Sequence, residues 1–439
     1  MRLSLIIPKW PIGSLWGQIF FRFPYLSVTT LAGLTNDAWD VSIIDENVAP
    51  LDFSSLPDLA AISIMTPLAP RGYEIADAFR SKGVTVALGG IHPTMMREEA
   101  KAHADAVVIG EAEQVWPQVL RDFRQGVLKP FYQATDYIDL AGFPIPRRDL
   151  LSPKGYFFKN TIQTTRGCPF DCEFCSVTSF YGRTYRTRPV DDVIREMGHM
   201  EGGFVFFVDD NIVGKTSYAK DFFRALIPLR VKWFSQASLT IVKDKELLDL
   251  AERSGCKGLF IGFETLSQES LKEMGKSMNR AAEYQDAVKM LHDHGIGIQG
   301  SFIFGTDQDE PRVFSDVLRF IEKVHLEAAL FSVLTPFPGT RIRDTLQKEN
   351  RILHNQWEKY DMNHVVVQPK KMTPRELQDG LYWAYTRLYG YGSILKRLFP
   401  FNKNSFFYGI QNIGFRQGWK KTLKSTTEAR RTQRKETSD

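Results

Sequence analysis

Short apolar runs recur along the first 110 positions, at 3–8 (LSLIIP), 41–45 (VSIID), 59–64 (LAAISI), 84–88 (VTVAL) and 106–109 (AVVI). Each has the length and β-rich make-up of a strand, and the stretches between them, at about 26–38, 70–82, 94–103 and 112–125, read as helices. Strand and helix alternating in this way predict a parallel sheet covered on both faces. Ser63, Thr66, Gly89-Gly90 and Gly110-Glu111 fall at or just past strand ends. An open α/β sheet receives ligands there, and small residues let a bulky ligand approach the backbone. The Gly-Gly pair serves equally well to turn the chain.

Pro144, Pro146 and Pro153 punctuate the chain before a second series begins. Its strand candidates are 161–165, 203–208, 232–238, 258–263, 297–304 and 329–334. Helical patterns lie between them at about 190–201, 216–227, 244–254, 267–274, 279–294 and 311–324. Six strands alternating with helices predict a partial or complete parallel barrel whose active site lies at the C-terminal strand ends. The rhythm stops after Pro336–Thr340, and 374–398 reads as one aromatic-rich amphipathic helix. The predicted fold class is α/β. A Rossmann-like domain occupies 1–140, a six-fold β/α partial TIM barrel 150–345, and a small, mostly helical extension with a basic tail 346–439.

The chain has 439 residues, 43% hydrophobic and 24% charged, a globular composition that excludes disordered, collagenous and disulfide-scaffold classes. Four cysteines are too few for a staple. The N-terminal apolar run is cut short by Pro8 and Lys9, unlike a signal peptide, and no window approaches the ~20 apolar residues of a spanning helix. These features predict a protein of the reducing cytoplasm. Of the net charge of +5, eight Lys and Arg lie from Arg416 onward against Glu428, Glu436 and Asp439, and the rest balances at 48 against 48. A neutral body gives no support to a nucleic-acid partner.

The sharpest chemical signal is Arg166-Gly167-Cys168-Pro169-Phe170-Asp171-Cys172-Glu173-Phe174-Cys175, directly after the first strand of the second series. Thiolates are soft ligands that select zinc, copper(I) or iron–sulfur clusters. A structural zinc site needs a fourth ligand, and the remaining cysteine, Cys256, is 81 residues on, an inert buried thiol in this reading. Three thiolates on a 4Fe-4S cluster instead leave one iron open, the mark of a catalytic rather than a structural metal. Zinc remains the alternative.

Cys-x3-Cys-x2-Cys with the aromatic Phe174 resembles the radical S-adenosylmethionine (SAM) enzymes. The resemblance implies that the cluster's open iron chelates SAM and that SAM cleavage yields a 5′-deoxyadenosyl radical. It also implies SAM contacts at Phe174, at Asp209 and Asp210 in Phe207–Asn211, at Gln236 and Ser238, at Glu264, and at Gly300 and Gly305. Arg186 resembles a basic residue common past the cluster loop. An N-cap remains the simpler role for Asp210 or Asn211, and a surface ion pair for Arg186.

In this company Asp45-Glu46-Asn47, Gly89-Gly90-Ile91-His92-Pro93-Thr94 and Gly110-Glu111-Ala112-Glu113 resemble the cobalamin-binding domain fused ahead of many radical SAM enzymes. The resemblance spans about residues 1–340, and the C-terminal region is similar to hopanoid methylase-like members. It implies a cobalamin rim at Ser63, Thr66, Gly89, Gly90, Gly110 and Glu111. The chain has no Asp-x-His-x-x-Gly, the motif that supplies a histidine to cobalt elsewhere. His92 is therefore read as a hydrogen-bonded loop residue, and Glu111 and Glu113 double as helix-N-terminal carboxylates.

The function so implied is a cobalamin-dependent radical SAM methyltransferase acting on an unactivated carbon, with a 4Fe-4S cluster, SAM and cobalamin as cofactors. A radical SAM cyclase or oxidoreductase of the same architecture is the alternative, and an iron–sulfur electron-transfer or sensor protein a remoter one. The implied partners are a small-molecule or lipid substrate and a flavodoxin- or ferredoxin-type reductant. Leu395–Phe401, Phe406–Tyr408 and the basic tail leave two readings open: a solvated, partly disordered tail, or peripheral contact with an anionic membrane.

Overall fold

The computed structural model describes residues 1–19, 22–401 and 404–436, with 426–436 as helix backbone alone. Arg430, Arg431, Arg434 and Lys435 of the basic tail thus lie outside the described side chains, and Asp439 outside the described residues. Strands β1 (Arg2–Ile7), β2 (Asp40–Asp45), β3 (Leu59–Ser63), β4 (Thr85–Gly89), β5 (Ala106–Ile109) and β6 (Phe131–Gln133) form one parallel sheet in the order β2-β1-β3-β4-β5-β6. The chain switches direction across the sheet between β1 and β3, which opens a crevice at their carboxyl ends. β6 is new relative to the sequence reading, being too short at three residues to show alternation.

Period-two alternation builds the core on both faces. Leu3, Leu5, Leu59, Ala61 and Ala87 pack with Val28, Trp116 and Val119 on one face. On the other, Ile6, Ala60, Ile62, Val86 and Leu88 join Ile75 and Phe79, and the same cluster takes in Met274, Ile303, Leu334, Trp357 and Tyr360. One apolar core therefore spans this sheet and the second half of the chain, setting the two face to face.

The second sheet is parallel throughout. It comprises β7 (Thr161–Ile162), β10 (Phe204–Phe207), β11 (Lys232–Ala237), β12 (Cys256–Glu264), β13 (Gly297–Phe304) and β14 (Ala328–Val333), side by side in that order. The predicted strand 161–165 breaks in two. After β7 the chain leaves the sheet, and β8 (Thr165–Gly167) pairs antiparallel with β9 (Tyr185–Thr187), with the cysteine loop between them. The buried Asp209 draws the backbone aside. Its Oδ1 accepts from the amide of Thr164 at 2.9 Å, from both hydroxyls of Thr164 and Thr165, and from the Thr165 amide.

The helix predicted over 374–398 is two, Pro374–Leu388 and Tyr391–Leu398, parted at extended Gly390. The first begins with a Thr373–Glu376 capping box and covers the edge strand β14. The Tyr385 and Tyr389 hydroxyls donate to the Phe331 and Ala329 carbonyls at 2.6 Å, satisfying an edge that would otherwise be open to another strand. The tail read as partly disordered is helical from Ser405 to Glu436. Its Tyr408 wedges against β12 and β13 at Gly258 and Gly297, where a Cβ would stand 2.2 and 2.3 Å from the tyrosine. Farther along, Gly418 touches Gln18 and Ile19, so the N-terminal segment and the last helix pack against each other.

Candidate active site

Two cavities lie where the strands end. The smaller, about 220 Å³, sits at the β1/β3 crevice and is lined by Ser63, Gly89, Gly90, Gly110 and Glu111 with an apolar wall that includes Leu26, Val28, Leu31 and Trp116. Gln163, Arg166, Phe180, Tyr181 and Val208 complete it from the barrel side. Gly110 has a positive φ of 75° and nothing within 4 Å of where a Cβ would stand, so it leaves room at the strand end that a side chain would take. A glycine-rimmed, apolar slot of this size facing the barrel fits the aromatic appendage of cobalamin, not the whole molecule. No histidine is among its described lining residues. His92 is buried and bonded to Glu99 at 3.1 Å, as a hydrogen-bonded residue, but it stands on the short helix Ile91–Met95 and not on the loop expected for it.

Thr66 is placed otherwise than expected. It is buried in the turn Thr66–Leu68 and does not line the cavity. Glu111 does line it, but its carboxylate is engaged by Arg166 at 2.7 Å and Arg186 at 2.8 Å, while Glu113 pairs with the second Arg166 nitrogen. All four side chains are largely buried. A pair of this kind is costly to break from one side, because the survivor is left as an uncompensated charge. The clasp ties the rim of the first cavity to β8 and β9, with Arg166 two residues before Cys168.

The larger cavity, about 620 Å³, runs through the barrel, from the carboxyl ends of its strands at Ser238 and Glu264 to positions nearer their amino ends, such as Gly258 and Gln299. One end is sulfur-rich and charged, with Cys168, Cys172, Phe174, Cys175, Asp210, Asn211, Gln236, Ser238, Glu264 and Lys276. The thiols arrive on a tight loop braced by Arg341, which reaches Asp171 and Glu173 at 2.5 and 2.8 Å. Among the described residues no three His, Cys, Asp or Glu side chains converge on one point as ligands of a single ion do. A cubane asks no such convergence, since each thiolate binds its own iron. Three thiols on one cavity wall, beside an ionisable and hydrogen-bonding surface, fit a cluster with a polar ligand on its open iron. Burial pushes the Cys172 thiol up to about 12, against the opposing charge of Lys276, so ligation has to displace its proton.

Asp210 accepts from the Gly167 amide at 3.1 Å. Burial pushes its carboxyl up to about 7, opposed by that hydrogen bond and by Arg166 and reinforced by Asp209. A cation placed beside it would favour its ionised form. Glu264 stands at a positive φ of 65° and accepts from Lys276 Nζ at 2.7 Å. Burial disfavours the Lys276 charge, yet the Glu264 carboxylate and the nearby thiols leave its pKa above the ordinary value.

Three expected SAM contacts lie outside this cavity. Asp209 is fully buried and occupied with Thr164 and Thr165. Gly300 faces Leu326, Phe302 and Phe263 at 3.0–3.2 Å, and Gly305 backs onto Leu377. For Gly300 the reason is register: Gln299, Ser301 and Ile303 of β13 line the cavity, so the alternate position points into the helical layer, whereas Gly305 lies just past the strand, which ends at Phe304. Lys276 was missed as well. It follows an ordinary surface helix, and only the fold returns it to Glu264. Arg186 is not a surface pair but part of the buried clasp, and Cys256 is buried in β12 as expected.

The other end of the larger cavity is apolar and aromatic: Trp16, Ile19 and Phe23 from the N-terminal segment, Phe158, Phe206 and Phe234, and Phe407, Tyr408 and Phe415 from the last helix. Phe23 stacks on Phe206 at 4.5 Å and Phe234 on Phe407 at 4.6 Å between ring centroids. Gln299 and Gln411 meet here, the Gln411 amide donating to Gln299 at 2.7 Å while Gln411 Oε1 is buried without a partner among the described residues.

The radical SAM superfamily matches residues 162–321 and the B12 binding domain residues 17–120. Bacteriochlorophyllide d C-12(1)-methyltransferase of Chlorobaculum tepidum is 35% identical, over 85% of this chain and 84% of that protein. Hopanoid C-2 methylase of Rhodopseudomonas palustris is 29% identical over 76% and 66%. Among solved structures, the radical SAM methyltransferase TsrM of Kitasatospora setae, with cobalamin and a 4Fe-4S cluster bound, shares the fold at a TM-score of 0.64 and 14% identity, over 97% of this chain and 99% of that one. With three thiols on one cavity, a glycine-rimmed slot on the other and both matches on a single chain, this protein belongs to the cobalamin-binding radical SAM enzymes, whose cofactors are a 4Fe-4S cluster, SAM and cobalamin.

Proposed function

We propose that this enzyme transfers a methyl group to an unactivated carbon of a large, flat, mainly apolar molecule of the tetrapyrrole class. The observation that carries this reading is the two-ended larger cavity, charged and sulfur-rich at one end and walled by aromatic faces at the other. The relative at 35% identity acts on bacteriochlorophyllide d, and aromatic rings offer their faces well to a conjugated macrocycle.

In this reading Cys168, Cys172 and Cys175 hold the cluster. Phe174, Asp210, Gln236, Ser238 and Glu264, the last oriented by Lys276, hold SAM. Ser63, Gly89, Gly90 and Gly110 make the cobalamin rim. When bound, these groups supply the one-electron chemistry that opens a C–H bond and the methyl group that takes the hydrogen's place. The chain supplies position and dryness. The Glu111/Glu113–Arg166/Arg186 clasp fixes the slot against the cysteine loop, and proximity of this kind is worth about 7–11 kcal/mol. The aromatic wall keeps water from the reacting carbon. Electrons come from a flavodoxin- or ferredoxin-type donor.

The test is anaerobic reconstitution with iron, sulfide and cobalamin, followed by incubation with SAM, a reductant and bacteriochlorophyllide d. A product heavier by one CH₂, formed with 5′-deoxyadenosine and S-adenosylhomocysteine in equal amounts, is expected. 5′-Deoxyadenosine with an oxidised or cyclised product would overturn methyl transfer. Methylation of a hopanoid but not of the macrocycle would overturn the substrate class alone.

A further inference from the structure

No described helix is long and apolar enough to cross a membrane, yet the C-terminal region exposes its largest apolar side chains together. Tyr391, Leu395 and Phe399 fall at i, i+4 and i+8 and are each more than half exposed, while Ile394, Arg397 and Leu398 of the same helix are buried. Phe401 is 65% exposed and sits edge-on to Phe399 at 6.0 Å. On the last helix Phe406, 80% exposed, leads a stripe through Ile410 and Ile413 to the exposed Lys420 and Lys421. Arg416 braces the two helices, its guanidinium 4.1 Å from the Tyr391 ring centre and hydrogen-bonded to the Tyr389 carbonyl at 2.8 Å. Contiguous exposed apolar surface of this kind marks an interaction site rather than ordinary protein exterior.

Charge selects the partner. From residue 380 to 427 the sequence holds eight Lys and Arg and no Asp or Glu. A second copy of the chain, brought up across a two-fold axis, would set this basic surface against itself. Aromatic and aliphatic side chains beside lysines, with acids absent, fit the headgroup region of an anionic bilayer. We infer that Tyr391, Leu395, Phe399, Phe401 and Phe406 form an interfacial membrane-docking surface, with Lys420 and Lys421 facing anionic headgroups. The helix carrying Phe406 also supplies Phe407, Gln411 and Phe415 to the aromatic end of the larger cavity. On the reading that this end receives an apolar substrate, docking brings its binding chamber beside the lipid. The docking itself is independent of that chemistry.

Full-length protein without cofactors or substrate is floated with vesicles of 3:1 phosphatidylcholine and phosphatidylglycerol, and with pure phosphatidylcholine. Flotation with the anionic vesicles at 0.1 M salt, weakened at 0.5 M, is expected. The variant F399S/F401S/F406S, altered only at exposed side chains and checked for an unchanged melting temperature, is expected to lose binding by about tenfold or more. K420Q/K421Q is expected to lose about threefold or more. Wild-type protein that floats with neither vesicle overturns the inference, as does equal binding of the phenylalanine variant. A vesicle-free dimer that F399S/F401S/F406S dissolves, without vesicle binding by wild type, assigns the patch to self-association and overturns it too.

Discussion

The two ends of the larger cavity are built by different means. The charged end comes from short segments: the cysteine loop Cys168–Cys175 after β8, where the chain has left the barrel sheet, and three at the carboxyl ends of barrel strands, Asp210 and Asn211 after β10, Gln236 to Ser238 at β11, and Glu264 closing β12. The aromatic end is assembled from positions as far apart as Trp16 and Phe415, and Phe415 lies beyond both domain matches. The charged chemistry thus gathers largely at the rigid ends of a parallel sheet, whereas the aromatic wall joins barrel residues such as Phe206 and Phe234 to residues brought in by the N-terminal segment and the last helix.

The contrast predicts where damage is total and where it is graded. Replacing Cys168, Cys172 or Cys175 singly by alanine leaves two thiolates for a three-ligand site. Each variant is expected to lose most of its iron and its broad visible absorbance after reconstitution, and SAM cleavage by more than about 10³-fold, while retaining the wild-type far-UV circular dichroism. A cysteine variant with full iron content and cleavage would show that these thiols are not the ligands.

The charged end was legible because its signal is local. Three cysteines in eight residues need no tertiary knowledge, nor does a polar pair at a strand end. What failed, failed by register and by burial. Gly300 is on the right strand but on its other face, where the side-chain period of two turns a one-residue error into a change of side, and Gly305 lies just past the strand's end, packed on Leu377. Asp209 and Asp210 are adjacent and chemically identical, and only the fold shows that the first holds β8 out of the sheet. Lys276 and Gln411 had no signal at all, since each becomes part of the site through contacts far away in sequence. The parallel sheet of the first domain followed from apolar runs alternating with helical stretches, whereas β6 and the break at Gly390 are too short or too weakly marked to be seen in the pattern.

A smaller effect is expected from the aromatic end. Gln411→Leu removes a polar pair that leaves one buried acceptor for the substrate, and Phe407→Ala removes a stacked ring. Each is expected to raise KM for the macrocycle by about 5- to 30-fold, in line with one lost hydrogen bond or aromatic contact of about 1–2 kcal/mol. Substrate-free formation of 5′-deoxyadenosine should stay within about twofold of wild type. If both quantities fall together, the two ends are not separate functions and the comparison breaks.

The smallest effect concerns Asp309, a buried carboxylate outside the cavity that serves as a measure of what burial alone does. Its Oδ2 accepts from the amides of Gly305 and Thr306 at 2.8 and 3.0 Å, pinning the turn after β13. Burial nevertheless pushes its carboxyl up to about 6, against those hydrogen bonds. In the unfolded chain an aspartate titrates near 3.9, so between about pH 4 and 6 the folded state holds a proton that the unfolded state has released. Stability therefore falls as pH rises through this window, the native state binding more protons. Asp209, pushed up to about 6 by its own burial against the Thr164 and Thr165 hydrogen bonds, contributes in the same direction. Asp309→Asn keeps an acceptor for the turn and cannot titrate. The variant's melting temperature should therefore fall less steeply than that of the wild type between pH 4.5 and 7, by an amount equivalent to about 1–3 kcal/mol. Parallel curves would show that Asp309 is ionised throughout, and that burial of this degree does not by itself raise a carboxyl in this fold.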